Sequence, residues 1–364
     1  MSYNRINNLF GWLTFLIAAI VYIATAEPTA SWWDAGEFIA AAHKLQIVHQ
    51  PGAPLFLMIA KIFSLFASDP SRVAYWVNLS SAMASAATIL FLFWTITALV
   101  RRVIARNSEL TTGKLITIIG SGLVGALAYT FSDTFWFSAV EAEVYAMSSL
   151  ATAVVFWAIL KWDSHADEPD ADRWLIFIAY VMGLSIGVHL LNLLAIPAIA
   201  LVYYFRRTAR PTSKGTLLAL AAGIFILGFI QYGVIQYLVK FAAMSDLLFV
   251  NTLGFGFGTG VLAFSVLVIV FFLAGIRFSI TGNKTTAMVA AVSLVLIFTL
   301  GAGFMGLLLG AGVVALLEYV VRVRQKRRAL NMSLLGLLFV VFGYGSFAMI
   351  IIRAKADPTL NNSD

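Results

Sequence analysis

The chain has 364 residues, of which 61% are hydrophobic and only 11% charged, with a formal net charge of +7. A mean hydropathy of +0.92 excludes an ordinary soluble domain and sets the class as an all-α protein that crosses the bilayer many times. The positive balance does not point to nucleic acid, because the basic residues sit in short loops between apolar runs. The absence of cysteine excludes disulfides and thiolate metal sites.

In chain order, residues 9–26 form the first apolar span. Ala24-Thr25-Ala26 resembles a signal-peptidase site, but the segment reads as an uncleaved span. A polar island follows, from Ser31-Trp32-Trp33-Asp34-Ala35-Gly36-Glu37 to His43, Lys44 and His49-Gln50-Pro51-Gly52-Ala53-Pro54. Residues 33–45 read as a short helix, favoured by the Ala40-Ala41-Ala42 run. Asp34 and Glu37, three apart, share a face that Ala41 and Lys44 continue, with His43 on the other side. Prolines 51 and 54 close the segment in a rigid turn. Two acids above a small-residue shelf suit a general base; a solvated loop helix whose acids face water fits the spacing equally.

Residues 55–67 are apolar but too few to cross, and Lys61 interrupts them, so they are expected to lie in the membrane interface. Spans are then expected at 75–100, 115–130 and 143–160, with an outer loop at 131–142 and an acidic inner loop at 161–173. The run 174–205 has basic flanks and is expected to cross twice, turning near His189. Further spans follow at 216–239 and 261–276, separated by an outer loop at 241–260. The stretch 285–321 is too long for one span and splits near Gly301-Ala302-Gly303. The last span is 331–352.

The expected count is about eleven spans with the N-terminus inside. It places eighteen of the 24 lysines and arginines on the inner side and leaves Lys44, Lys61, Arg72, Lys240, Arg353 and Lys355 outside, as the positive-inside rule requires. Residues 1–352 then form one transmembrane domain, with the site in the first exoplasmic loop, 27–74, and 353–364 as a short outer tail.

This topology gathers the scarce ionisable groups at the outer leaflet: Asp34, Glu37, His43 and His49, then Asp133, Glu141 and Glu143, with His189 and Asn192 at a hairpin tip. Bland roles exist for each. Glu143 suits a helix N-terminus, His189 a hydrogen bond within its hairpin, and Trp32, Trp33 and Trp136 an interfacial belt. Arg72 fits either a lipid phosphate or snorkelling to headgroups. There is no P-loop, GxSxG, HExxH or first-loop Asp-x-Asp. The histidines lack compact metal-ligand spacing, so a divalent metal is open but unsupported by the sequence, and no cofactor is firmly implied.

The first span, the acid-bearing outer helix and the proline turn together resemble the GT-C class of integral-membrane glycosyltransferases. The nearest likeness is to a bacterial family, common in Bacteroidetes, related to a eukaryotic transmembrane protein O-mannosyltransferase. That family's Asp-Ser-Gly-Glu element is similar to Asp34-Ala35-Gly36-Glu37, with alanine in place of the serine. Its His-Pro-Pro-Gly-x-Pro-Leu element is similar to His49-Gln50-Pro51-Gly52-Ala53-Pro54-Leu55, and its Glu-Val-Tyr to Glu143-Val144-Tyr145. The likeness is carried by the N-terminal third.

The resemblance implies a multi-span fold with an outer cavity. It implies inverting transfer of a sugar, such as mannose, from a polyprenyl-phosphate donor to a hydroxyl of a protein or lipid acceptor. Asp34 would be the base and Glu37 would orient it or the acceptor; His43, His49, Arg72, Glu141, Glu143, Tyr145, His189 and Asn192 are the expected substrate-binding residues. The implied address is the bacterial cytoplasmic membrane, with the site facing the periplasm. The alternatives are a transporter or flippase of lipid-linked sugars, which would need a polar path at the midplane, and a non-catalytic membrane scaffold.

Overall fold

The computed structural model describes residues 2–105, 109–323 and 326–354. Arg106, Arg324 and Lys355, and the outer tail from 355 on, lie outside the described residues. The described chain is helical, with no β-sheet, as expected of an all-α polytopic membrane protein. Nine helices among the described residues are long and apolar enough to cross a membrane, and two apolar helices, Pro54–Ser64 and Arg173–Ile186, are shorter. The expected count of eleven exceeds these nine by the helix at 173–186, which is among the shorter ones, and by the second arm of the helix that begins at Lys284, which is counted as one with the first arm. The chain divides into two compact units, residues 1–209 with 342–364, and residues 210–341.

In the first unit, α1 (Tyr3–Ala24), α5 (Thr112–Thr130) and α7 (Val144–Ser164) pack around the long central helix α4 (Val73–Ala105). The buried face of α4 is rich in small residues, among them Ser80, Ser81, Ala82, Ser85 and Ala86. Small residues let neighbouring helix backbones approach closely, which is how helices associate where lipid offers no hydrophobic driving force. Gly122 on α5 shows the consequence, since a Cβ there would lie 2.6 Å from Thr97 and 2.8 Å from Phe93.

Two short helices sit in the first loop. The first, α2 (Ala35–Lys44), buries Ala35, Phe38, Ile39 and Ala42, an i, i+3, i+4, i+7 stripe. It ends at Leu45 in the left-handed conformation, with the Leu45 and Gln46 N–H groups turned back onto carbonyls of the last turn. The second, α3 (Pro54–Ser64), starts on proline, whose missing N–H is harmless in a first turn. Its eleven residues are about 16 Å long, too short to cross. Phe38 meets Phe56 edge-on at 5.1 Å and fastens the two helices together.

The loop between α5 and α7 carries α6 (Asp133–Ala139) and is tied to the first loop. Glu27 N–H donates to the Val140 carbonyl at 3.0 Å, and Trp136 Nε1 donates to Thr25 Oγ1 at 3.0 Å. From α4, Asn78 Nδ2 donates to the carbonyls of Glu27 and Thr29 at 2.7 and 3.1 Å.

The run 174–205 does turn near His189. The helix α8 (Arg173–Ile186) stops there, a short 3-10 turn follows, and α9 (Ile196–Arg207) leads away. The Gly187 carbonyl at this turn accepts the N–H groups of Leu55 and Phe56 at 2.7 and 3.4 Å, which binds the His189 hairpin to the start of α3.

The second unit holds a helical run from α10 (Ser213–Gly228) through a π-helical stretch, Phe229–Leu238, to α11 (Val239–Asn251). This corrects the expected outer loop at 241–260: the helix continues to Asn251 because no breaker interrupts it before Gly254. Asp246, buried on α11, accepts the N–H groups of Gly258, Gly260 and Val261, and so caps α12 (Thr259–Thr281). The expected break at 301–303 is present. The helix α13 (Lys284–Glu318) turns at Ala302 and Gly303, the latter with φ of 58° and ψ of −138°, a conformation open to glycine. Its two arms close so tightly that a Cβ on Gly306 would fall 1.8 Å from the Phe298 carbonyl oxygen. The helix α14 (Arg327–Tyr344) completes this unit. Its last turns lead back into the first, where Gly343 packs on the backbone of Tyr180, Gly183 and Leu184 ahead of α15 (Ala348–Ala354).

The Gly187 turn is the most crowded point beside the first loop: a Cβ there would lie 2.2 Å from Ser346 Oγ and 3.0 Å from Leu55 Cβ. Gly187→Leu is therefore expected to destabilise the protein by about 1–3 kcal/mol, read as a lower Tm of the detergent-purified protein. Gly113→Leu, where a Cβ meets nothing within 4 Å, is expected to leave Tm unchanged.

Candidate functional site

The polar island folds into a compact carboxylate–imidazole cluster. Glu37 sits in the first turn of α2, with Asp34 as the residue just before it, where the helix dipole favours negative charge. The chain leaves α2 at Leu45, reverses, and brings His49 back over that end. The His49 backbone N–H donates to Glu37 Oε1 at 2.7 Å, and its ring Nδ1 lies 2.7 Å from Glu37 Oε2. Both oxygens of one carboxylate therefore hold one histidine. The other ring nitrogen, Nε2, is 3.9 Å from Asp34 Oδ2. Phe38 presents its ring edge-on to the imidazole at 5.7 Å and fixes its tilt.

Backbone strain marks the same place. Trp33, Leu45 and Ala53, none of them glycine, have positive φ. Trp33 has φ of 62° and its side chain is 90% exposed, so no core packing holds it there. Strained backbone of this kind collects at functional sites.

A second pair of acids closes on the cluster from the loop before α7. Glu141 and Glu143 are 6% and 7% exposed. Ser31 Oγ donates to Glu141 Oε2 at 2.5 Å, so the first loop reaches the second just ahead of Asp34. Burial first, then the charges of Asp34 and Glu141, push the Glu143 carboxyl up to about 7, against smaller opposing pulls from the Val144 backbone N–H it accepts and from His49. Glu141 is also raised, by burial, against the Ser31 hydrogen bond. His49 moves the other way in charge: its hydrogen bond to Glu37, with the charges of Glu37, Asp34 and Glu143, raises its pKa against burial and favours the imidazolium. Glu143, Glu141 and His49 thus share one electrostatic field with the carboxylates of Asp34 and Glu37.

The other expected residues divide. Tyr145, exposed at the start of α7, stacks at a tilt against His189, with ring centroids 5.3 Å apart, and burial lowers the His189 pKa. Asn192 is fully buried and donates from Nδ2 to Ser185 Oγ at 3.1 Å, so it braces the hairpin. His43 has its Nδ1 buried without a partner, and its carbonyl accepts from Lys61 Nζ. Arg72 is exposed in the turn Pro70–Arg72 beside Asp69, whose pKa it helps to lower. These two are not among the side chains the loop gathers around His49.

Two participants had no signal in the sequence. Ser31 reaches a partner 110 positions away. Arg353 on α15 donates from Nε to the Leu45 carbonyl at 2.7 Å, at the C-terminal end of α2. Asp34, Glu37 and His49 are also the residues able to hold a cation, since each offers one ligand atom and these lie within 4.8 Å of one another.

The fold and site define a polytopic all-α membrane protein with an acidic cluster on its first loop. Residues 34–212 match the family model of the Protein O-mannosyl-transferase TMEM260 N-terminal domain, and over that stretch the chain is related to a family of membrane O-mannosyl-transferases. Every expected site residue falls within the match. Protein O-mannosyl-transferase tmem260 of Dictyostelium discoideum is 30% identical over 146 residues, which is 40% of this chain and 16% of that protein. Protein O-mannosyl-transferase TMEM260 of Mus musculus is 27% identical over 173 residues, 47% of this chain and 22% of that protein. The matched stretch thus spans less than a quarter of either relative. No solved structure matches.

The elevated Glu143 carboxyl is open to direct measurement. A protonated-carboxyl infrared band should titrate near pH 7 in the purified protein and disappear in Glu143→Gln. In Asp34→Asn it should shift to lower pH, because one of the charges that raises Glu143 is gone. The sign for stability follows: folded Glu143 holds its proton above the usual carboxylate range, so its contribution is complete below about pH 4.5 and is lost as pH rises through about 7. Glu143→Gln should flatten that part of the stability profile.

Proposed function

We propose that this chain is an inverting glycosyltransferase of GT-C type. It transfers a sugar, mannose if it follows its relatives' names, from a polyprenyl-phosphate donor to a Ser or Thr hydroxyl of a protein at the outer face of the membrane. In this reading residues 1–352 act as one transmembrane domain in the bacterial cytoplasmic membrane, with the site facing the periplasm. The distribution of lysine and arginine supports that orientation.

A serine or threonine hydroxyl is a poor nucleophile and needs a carboxylate within hydrogen-bond reach as its oxygen attacks. Asp34 has the exposure for this, with its side chain 54% exposed beside His49. It would accept the hydroxyl proton while the acceptor oxygen forms the new bond to the anomeric carbon. The bond from that carbon to the phosphate oxygen breaks on the opposite face, and the electron pair leaves with the polyprenyl phosphate. Glu37 and His49 act by position, because their paired contacts fix the loop that carries Asp34. Tyr145 and His189 offer an aromatic ledge for the substrate. The observation that carries this reading is the convergence of Asp34, Glu37, His49 and Glu143 from two loops onto one spot within the stretch matched by the family.

The test is sugar transfer from mannosyl-phosphoryl-polyprenol to a Ser/Thr-rich peptide by the purified protein. Asp34→Asn is expected to lower turnover by about 10²-fold or more with Tm unchanged, since the side chain is half-exposed. Glu37→Gln should lower both turnover and Tm, because it also releases the His49 loop. Undiminished transfer by Asp34→Asn would remove Asp34 from the chemistry.

A further inference from the structure

We propose that the second unit holds one anionic phospholipid, with an acyl chain in a cavity between α12, the two arms of α13 and α14, and its phosphate at Lys284 and Arg327. This binding does not depend on the transferase reading, whose residues all lie in the first unit.

The cavity has a volume of about 230 Å³, and its lining runs from Phe271 to Leu334, wholly within the second unit. It exists because small residues meet there. Gly275 on α12 and Ala287, Ala290 and Ala291 on α13 belong to its walls, and a Cβ added to Gly275 would lie 3.9 Å from Ala290 Cβ. The volume is below the roughly 300–1,000 Å³ of pockets that enclose a whole drug-sized ligand. It suits one narrow arm of a ligand whose remainder lies outside.

Length and surroundings say which arm. The helices that line the cavity are long and apolar enough to cross a membrane, so what fills it is drawn from the bilayer. From Lys284 at the mouth to Leu294 at depth the helix rises about 15 Å. That is half of the roughly 30 Å hydrocarbon core, the depth of one leaflet. Lys284 and Glu318 are the charged residues of the lining, and the rest is Gly, Ala, Val, Leu, Met and Phe. Such walls accept an acyl chain and leave a polar ligand without hydrogen-bond partners.

The mouth selects the headgroup. The turn from α12 to α13, the end of the returning arm of α13 and the start of α14 all come to this end. They bring Lys284, Lys326 and Arg327, each of them exposed, and Arg327 Nη1 packs against Gly282 in the turn. Glu318, the acid of the lining, has a partner of its own. The N–H groups of Thr285 and Thr286 are taken by Asn283 Oδ1 at 2.8 and 3.3 Å, so the first turn of α13 offers a phosphate little and the basic side chains must hold it. Guanidinium and ammonium groups suit a phosphate, and basic pockets between membrane helices take anionic headgroups. A zwitterionic lipid would bring its own cation to the same basic rim and gain less. In the expected topology this end faces the inner leaflet.

The test is native mass spectrometry of the detergent-purified full chain, titrated with phosphatidylglycerol or with phosphatidylcholine of the same acyl chains. One phosphatidylglycerol per chain is expected, held about fivefold or more tighter than phosphatidylcholine. Lys284→Glu should abolish that preference, and Ala291→Phe, which fills the cavity, should weaken both lipids. Lys214→Glu, at an exposed lysine on α10, should bind as wild type. Lys284→Glu is the decisive variant, because an exposed side chain at a helix start lets the fold stand, with an unchanged Tm as the check. Equal retention of the two lipids, or a preference that Lys284→Glu leaves intact, overturns the headgroup site. Dihexanoylphosphatidylglycerol tests the cavity without a mutation: it should bind more weakly, and binding as tight as that of the long-chain lipid removes the cavity from the site. A polyprenyl phosphate that displaces phosphatidylglycerol at equal concentration would assign the cavity to a different lipid and overturn the proposal.

Discussion

The first loop depends on one contact, the double grip of Glu37 on His49. A ten-residue helix such as α2 is shorter than an isolated helix needs to persist in water, and the segment after it runs through three residues at positive φ or beside a proline. What closes this loop is a carboxylate that takes the backbone N–H with one oxygen and the ring nitrogen with the other. Hydrogen bonds to a charged group are among the stronger ones, of order 1.5–3 kcal/mol each. Because both end on the same side chain, they fix the position and the orientation of the imidazole together. Asp34, three residues before Glu37, then has a defined neighbour at 3.9 Å instead of open water.

That local lock has consequences through burial. Had Glu143 stood in solvent, the charges of Asp34 and His49 would be screened to little. It instead ends the second loop at the start of α7, walled by residues such as Ala142, Val144 and Met147, and the same charges act across a poor dielectric. Trp136, Ser31 and the Glu27 N–H hold the two loops in register, and Asn78 ties the first of them to α4. The small-residue face of α4 lets the helices beneath come close enough for those bonds to form. The chemistry of the cluster is thus set partly from beneath it, by the alanines and serines of α4.

This explains which parts were legible in the sequence. Local features were: the acid spacing in α2, the proline turn before α3, the reversal near His189, and the break at Ala302 and Gly303 are all written in neighbouring residues. Span lengths were legible because the bilayer imposes them. Pairings across long separations were not. Nothing near Ser31 announces Glu141, and nothing near Leu45 announces Arg353. Hydropathy also failed to separate a loop from a helix that stays polar on one side, which is why 241–251 read as loop and is helix to Asn251. Arg72 and His43 earned attention by residue type alone, and type does not say where a side chain is turned.

Arg353 shows how far the constraint on the site extends. The carbonyls at the end of α2 carry the negative pole of the helix, and the Lys44 and Leu45 carbonyls are left without helical partners. Arg353 supplies the cation, with Nε on the Leu45 carbonyl at 2.7 Å and Nη2 near the Lys44 carbonyl at 3.5 Å. The acids Asp34 and Glu37 occupy the opposite, positive pole. A short helix with matched charges at both ends gains about 0.3–1 kcal/mol from each, which matters where so few backbone bonds hold it. Ile350 reinforces the seat, with Cδ1 so near Gly52 that a Cβ there would lie 2.6 Å from it. The helix at 348–354 is therefore part of the mould of the first-loop site. A chain ending before it would keep every acid of the cluster and lose the contact that holds their helix from behind.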